Sequence, residues 1–261
     1  MGGRAGIFAC MVLAGMLPRA GEGASIEAGD FEIVRAAIQG FAGVIEVSVV
    51  EEGRARLVIS GEDGVLDGFE IRESDGELLV QAPKIEGPVS VVTGSVRASG
   101  GGEVVINGKR YGAGEPLPEP MRIELVLVRG TALDLVDLTG EAHLGDLEAP
   151  LHLQLLSGVV RAGSIGEASI HVEGGGQVEI AHIAGDAWLD LAGSGTIHVA
   201  GGEIGALLAE IGGAGMIEVG ASVGEAKGSI FGAGMIRLGE VAGEPQFEVG
   251  PAGRVVVDGE P

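Results

Sequence analysis

A chain of 261 residues with 50 glycines and only 3% aromatic residues lacks the large side chains that usually fill a globular core. Glycine without a Gly-X-Y period excludes collagen, and a regular alternation of apolar and polar residues excludes a disordered tract. The formal net charge of −22 speaks for solubility and against nucleic acid or an anionic membrane as partner.

Residues 1–24 read as a secretory signal peptide. Arg4 supplies a basic start, Ala5 to Leu17 form an apolar run, and the small-residue stretch PRAGEGA offers a cleavage site between Ala20 and Ala24. The run is short for a membrane span, so no transmembrane segment is expected once the signal is removed. The one cysteine, Cys10, lies inside the apolar run, which leaves a mature chain without thiol or disulfide chemistry.

Residues 25–83 read as an irregular β cap together with the first coils of a solenoid. VIEVSVVEE at 44–52, RARLVIS at 54–60, FEIRES at 69–74 and GELLVQA at 76–82 alternate as strands, punctuated by Gly53, Gly61, Gly64 and Asp75-Gly76. FEIVRAAIQGFAG at 31–43 fits a short helix or a strand. Residues 84–120 break the rhythm. VVINGKRY carries the hairpin signal Asn107-Gly108, and GEPLPEP closes the segment, so a projecting hairpin insertion is expected. Its Lys109, Arg110 and Tyr111 form a basic, aromatic spot on an acidic protein. A solvated hairpin covering a coil edge is the preferred reading of them; if the chain has a dedicated partner contact, it is expected at these three residues.

From 121 to 261 one phrase returns: VEGGGQVEI at 172–180, LAGSGTIHVAG at 191–201, IGGAGMIEVG at 211–220, IFGAGMIRLG at 230–239 and VGPAGRVVVDG at 249–259. The glycines Gly140, Gly158, Gly176, Gly195, Gly215, Gly234 and Gly253 are spaced 18 to 20 residues apart. A period so short is too tight for crossover helices and marks a solenoid of stacked coils. Two and four residues beyond each glycine stand small branched residues: Val178 and Ile180, Ile197 and Val199, Ile217 and Val219, Ile236 and Leu238. Between them an outward slot holds His143, Arg161, Glu179, His198, Glu218, Arg237 and Val256. A second strand precedes the corner, with Ile170/Val172, Leu189/Leu191, Ala209/Ile211, Gly228/Ile230 and Phe247/Val249 inward and His171, Asp190, Glu210, Ser229 and Glu248 outward. Ile165-Gly166, Ile204-Gly205 and Val223-Gly224 mark a third corner. The expected fold is all-β: a right-handed parallel β-helix of about 19 residues per coil.

No constellation carries catalysis, a cofactor or a metal. The outward ladder of unlike charges is the best enzymatic candidate, but glycoside hydrolysis needs two carboxylates flanking one bond, one of them pocketed. The acids Asp190, Glu210 and Glu248, with Glu173 and Asp186 nearby, read as a solvated face, because calcium needs six to eight converging oxygens. The five histidines show no zinc spacing. Met216 and Met235 share one slot as a small apolar strip, and Trp188 alone offers a surface for stacking a sugar.

The phrases ISGEDGVLDGFEIRESDGELLVQA, IELVLVRGTALDLVDLTGEAHLGDLEAPLHLQLLSG and the repeated Gly-Ser/Ala-Gly resemble the GIN domain, the family described as putative autotransporter adhesin heads. The resemblance spans roughly residues 30–259. It implies an exported protein of the bacterial periplasm or cell surface, acting as a non-catalytic structural or adhesive module on a protein or glycan of the envelope, with a homo-oligomer as a further candidate assembly. A polysaccharide-acting β-helix enzyme is the alternative. Where the family often carries aspartate after the second glycine, this chain has Gln177, Thr196, Met216, Met235 and Arg254, so no ligand role carries over to that slot.

Overall fold

The computed structural model describes residues 24–61, 66–83, 85–86, 89–92, 95–98, 104–106, 109–111 and 120–258, with side chains at 24–61, 66–83 and 120–258. The signal segment expected at 1–24 lies, but for Ala24, outside the described residues, as do the side chains of Lys109, Arg110 and Tyr111. Among the described residues the regular structure is all strand, joined by turns and bends, apart from a single 3-10 turn at Leu66–Gly68. No helix among them is long and apolar enough to cross a membrane.

The N-terminal half runs through β1 (Ala24–Phe31), β2 (Arg35–Gln39), β3 (Ala42–Val50), β4 (Ala55–Gly61), β5 (Glu70–Ser74), β6 (Glu77–Gln81), the short strands β7 (Ile85–Glu86), β8 (Val89–Val92), β9 (Ser95–Ala98), β10 (Val104–Ile106) and β11 (Lys109–Tyr111), and β12 (Met121–Val128). The regular coils comprise β13 (Ala132–Leu144), β14 (Leu151–Ile165), β15 (Ala168–Val172), β16 (Gln177–Ile183), β17 (Ala187–Leu191), β18 (Thr196–Ile211), β19 (Met216–Val219), β20 (Ser222–Ile230), β21 (Met235–Leu238), β22 (Gln246–Val249) and β23 (Arg254–Val257).

These strands stack as a parallel β-helix of about seven regular coils with three sides. One face, face A, stacks β2, the first part of β13, the first part of β14, β15, β17, the end of β18, the end of β20 and β22. Face B stacks β3, the second part of β13, β14, β16, the start of β18, β19, β21 and β23. A short third side pairs Ile165 with Ile183 and Ile204 with Val223, which bridges on to Val241.

The period-2 pattern explains why these segments become strands and which way they face. Val178, Ile197, Ile217 and Ile236 fall in one register column and are fully buried. Glu179, His198, Glu218 and Arg237 form the neighbouring outward column. Burying one such aliphatic side chain per coil on each face contributes about 1.5–3 kcal/mol relative to exposure, which replaces the aromatic core that the composition lacks.

The glycine column serves two needs. Gly140 and Gly158 sit at φ of 134° and 126°, inside strands that run unbroken through the corner, a conformation that disfavours any side chain. Farther down, Gly195 and Gly215 are required by proximity: a Cβ there would press on the carbonyl oxygen of the glycine one coil above. The residue between the paired glycines is spared, and Ser194, Ala214 and Ala233 carry side chains.

The start of the rod departs from sequence order. β13 lies beneath β2 and β3, yet β6 sits above β2 and β12 above β3. The coil made by β2 and β3 comes first in the chain and second in space; β6 and β12 together form the coil above it. β4 then pairs antiparallel with β12, β1 antiparallel with β4, and β5 antiparallel with β6. The β5–β6 hairpin turns at Asp75-Gly76, both at positive φ (53° and 80°), as a two-residue primed turn requires. These antiparallel strands close the upper edge against further parallel pairing. The 31–43 segment, which fits either helix or strand by sequence, is strand on both sides of Gly40.

Between β6 and β12, β10 pairs antiparallel with β11 and with β7, and β8 with β9. Ile106 pairs with Lys109, while β8 lies against β13 and β14, and β9 against β3.

Two positions read differently in three dimensions. Ser229 occupies its expected outward slot between Glu210 and Glu248, yet it is buried and its hydroxyl oxygen has no hydrogen-bond partner. A short side chain in a ladder of longer ones is shielded by its neighbours. Val249, expected inward, is 46% exposed, because no coil lies beneath β22 among the described residues.

Candidate functional site

Stacking brings equivalent outward residues of successive coils into columns, and one column of face A lines a groove of about 750 Å3 along the rod. Its floor is set by the register Ala37, Asp134, His152, Ser169, Trp188, Leu208, Lys227. The adjoining corner contributes Pro150, Glu167, Asp186, Ala206 and Glu225 as a rim. Trp188 is 48% exposed and Leu208 39%, so an indole and an isobutyl group lie side by side in solvent. The indole Nε1–H donates to Glu210 Oε2 at 3.3 Å, which fixes the ring's orientation.

Polar groups are spaced along the same floor. Arg35 pairs with Asp134 at 3.2 Å at one end, His152 Nδ1 lies 3.2 Å from Ser169 Oγ in the middle, and Lys227 reaches Glu225 at 3.4 Å at the other end. A flat aromatic face beside hydroxyl and amide-scale hydrogen-bonding groups can hold a ligand that presents apolar C–H surfaces and hydroxyls together. The groove is open along its length, so it suits an extended ligand.

Several of the ionisable residues singled out by the sequence are engaged with neighbours in the stack. Arg161 pairs with Glu179 at 2.9 Å, His198 with Glu218 at 3.3 Å, and Arg237 with Asp258 at 3.1 Å. His171 Nδ1 lies 2.7 Å from Asp190 Oδ2, and Glu173 accepts a hydrogen bond from Gln154 at 3.0 Å. Glu46 extends the ladder upward, in register with His143 and paired with Arg122. The Asp258 carboxylate raises the Arg237 guanidinium above its ordinary value, and Glu218 adds to it. Exposed pairs of this kind add little to stability and chiefly keep the stack in register.

Two aspartates brace the third side. Asp146 Oδ1 accepts the backbone N–H of Ser164 at 2.7 Å, and Asp186 Oδ1 accepts that of Ala206 at 2.9 Å, each one coil below. The Ser164 backbone and hydroxyl hold the Asp146 carboxyl below the ordinary carboxylate value; partial burial opposes this, and Arg129 assists. Arg129 itself lies between Glu148 at 2.5 Å and Glu51 at 2.6 Å, and Glu148 is the main cause that raises its guanidinium further.

Of the sequence candidates, Trp188 lies in the groove, Met216 is 36% exposed on face B and half-buried Met235 sits beneath it in register. By sequence, His152 and Asp186 are weighed only as metal ligands, and the other companions of Trp188 are not singled out. The signal lay in one further alignment: 152, 169, 188, 208 and 227 occupy the outward position two residues before the acidic slot.

No family model matches the chain, and none of the curated proteins is similar to it. Solved structures are similar. A "putative adhesin" from Bacteroides fragilis NCTC 9343 is 17% identical, with a TM-score of 0.59 over 90% of this chain and 95% of that one. A "putative adhesin" from Parabacteroides distasonis ATCC 8503 is 13% identical, with a TM-score of 0.54 over 89% and 95% of the two chains. A third, from Parabacteroides merdae ATCC 43184, is 14% identical, with a TM-score of 0.51 over 91% and 97%. At these identities the likeness establishes a common fold along nearly the whole chain.

Proposed function

We propose that this chain is a non-catalytic binding module of the GIN type, exported to the periplasm or surface of a bacterium, which holds an extended envelope glycan along the face-A groove. The observation that carries the proposal is the half-exposed Trp188 at the centre of an open groove, with Leu208 and Ser169 on either side of it in register. The fold shared with proteins described as adhesins supports a binding role. Binding is favoured over hydrolysis because Asp190, Glu210 and Glu173 of face A are each tied to a neighbour, and an open groove offers no low-dielectric pocket to raise a carboxyl. Lys109, Arg110 and Tyr111 on β11 are the second candidate contact, suited to an acidic partner.

Trp188 is the one tryptophan, so intrinsic fluorescence reports on this groove alone. Titrating the mature chain with solubilised peptidoglycan strands or envelope polysaccharide should shift or quench its emission, and Trp188→Ala should weaken retention on the same polymer about three- to tenfold. An emission spectrum indifferent to every envelope polymer, or turnover of one abolished by changing Glu218 or Asp190, overturns the proposal. Fractionation of cells expressing the full chain tests the compartment; recovery in the cytosol refutes export.

A further inference from the structure

The two ends of the rod are finished differently. Antiparallel β1, β4 and β5 close the upper end, whereas among the described residues nothing pairs with the lower edges of β22 and β23. Burial shows the same asymmetry. Ile217 and Ile236 are fully buried, but their equivalent Val255 is only half-buried, as are Val257 and Phe247, and Val249 is 46% exposed. An apolar strand with an open edge is a template for pairing unless something covers it.

We propose that a second copy of this chain covers that end, β23 pairing antiparallel with the partner's β23 about a twofold axis at Val256. Backbone direction and charge together select this arrangement. Arg254 N–H donates to Gly234 O at 3.0 Å and Asp258 N–H to Leu238 O at 2.8 Å, so the amides of 254, 256 and 258 point to the coil above. By the alternation of a strand, the N–H and C=O groups of Val255 and Val257 point away from it. Centred on Val256, each copy sets Val255 against the partner's Val257 as a hydrogen-bonded pair, and these are the inward residues, so the apolar core runs on into the second rod. Arg254 then faces the partner's Asp258 at a non-hydrogen-bonded position, where outward side chains approach most closely. Shifting the pairing by one step sets Arg254 against the partner's Val256 or beyond the strand and loses the opposite charges. The Asp258 carboxylate already accepts from Arg237 through both oxygens, at 3.1 Å and 3.4 Å, and each oxygen keeps a further lone pair with which to accept the partner's Arg254 as well.

Sedimentation velocity on the mature chain, at about 0.15 M salt so that the repulsion between two acidic rods is screened, should show a concentration-dependent equilibrium between one and two copies. Arg254→Glu should weaken association about tenfold or more, since both symmetric ion pairs become repulsive, and the combination of Arg254→Glu with Asp258→Arg should restore it. Unchanged circular dichroism of both variants shows that the rod is intact. A single-copy mass at all concentrations overturns the proposal, as does a dimer indifferent to Arg254→Glu. Failure of the double exchange to restore pairing overturns this register. Hydrogen exchange reads the same edge: the Val255 and Val257 amides should become protected only as concentration rises, and protection already present at single-copy dilution would mean that the chain covers the edge itself.

Discussion

Replacing Gly213 by alanine tests the stacked corner directly. A Cβ on Gly213 would lie 2.7 Å from the Ala192 oxygen and closer still to the Gly193 oxygen, and both obstacles are backbone, so neither can swing aside. The Gly193 oxygen also accepts the Ala214 N–H at 3.1 Å, so displacing it lengthens an inter-coil hydrogen bond. Overpacking of this kind costs about 1–3 kcal/mol, and the hydrogen bond adds about 0.5–1.5 kcal/mol, for roughly 2–4 kcal/mol in all. The control lies in the coils above. A Cβ on Gly175 meets nothing within 4 Å, and the equivalent positions Ser194 and Ala214 already carry one, so Gly175→Ala should be neutral or stabilising by about 0.4–1 kcal/mol through the unfolded chain. Urea titration followed by circular dichroism should lower the midpoint of Gly213→Ala by about 1 M or more, given slopes of about 1–3 kcal/mol/M, and leave that of Gly175→Ala in place or higher. Equal midpoints would show that the corner gives way freely and that the glycine ladder is not set by proximity of the coils.

Ile217→Asp should destabilise severely, placing a carboxylate among fully buried aliphatic side chains, whereas Glu218→Gln, one residue along and facing outward, should cost less than about 0.5 kcal/mol; similar losses in denaturant would mean that the faces are reversed. Asp146 links stability to pH. Its folded value lies below the unfolded one, so the stabilisation it contributes is complete above about pH 4, the ordinary Asp value, and is lost as pH falls through the folded value. Asp146→Asn should therefore be less stable than wild type at neutral pH, the gap closing in acid; a gap that widens in acid refutes the assigned hydrogen bonds. Triple substitution of Lys109, Arg110 and Tyr111 by serine should leave the circular dichroism spectrum unchanged while weakening capture of acidic partners, and unfolding of the variant would make the hairpin a structural cover.

The repeating half of this protein was legible in the sequence because the information there is local. The Gly-small-Gly phrase sets the corner, alternation sets which of Ile217 and Glu218 faces the core, and a near-constant period places each coil on the last. Those same rules say nothing about the upper end. That β12 pairs with β3 and β4, partners far back in the chain, depends on which edges are left open once β2 and β3 have formed, and no period encodes it. Hence the first coil in the chain became the second in space, and hydrophobic pattern alone could not order them. The groove was half legible. Each outward residue could be placed on its face from sequence, but that Trp188 and Leu208 share an open surface with His152 and Asp134 depends on the stacking register and on the neighbouring corner, which together decide whether a column of side chains makes a ridge or a floor. Ser229 and Val249 show the same limit at single residues: alternation fixes the direction in which a side chain points, while its exposure is fixed by the length of the neighbours above and below and by whether a further coil is there to cover it.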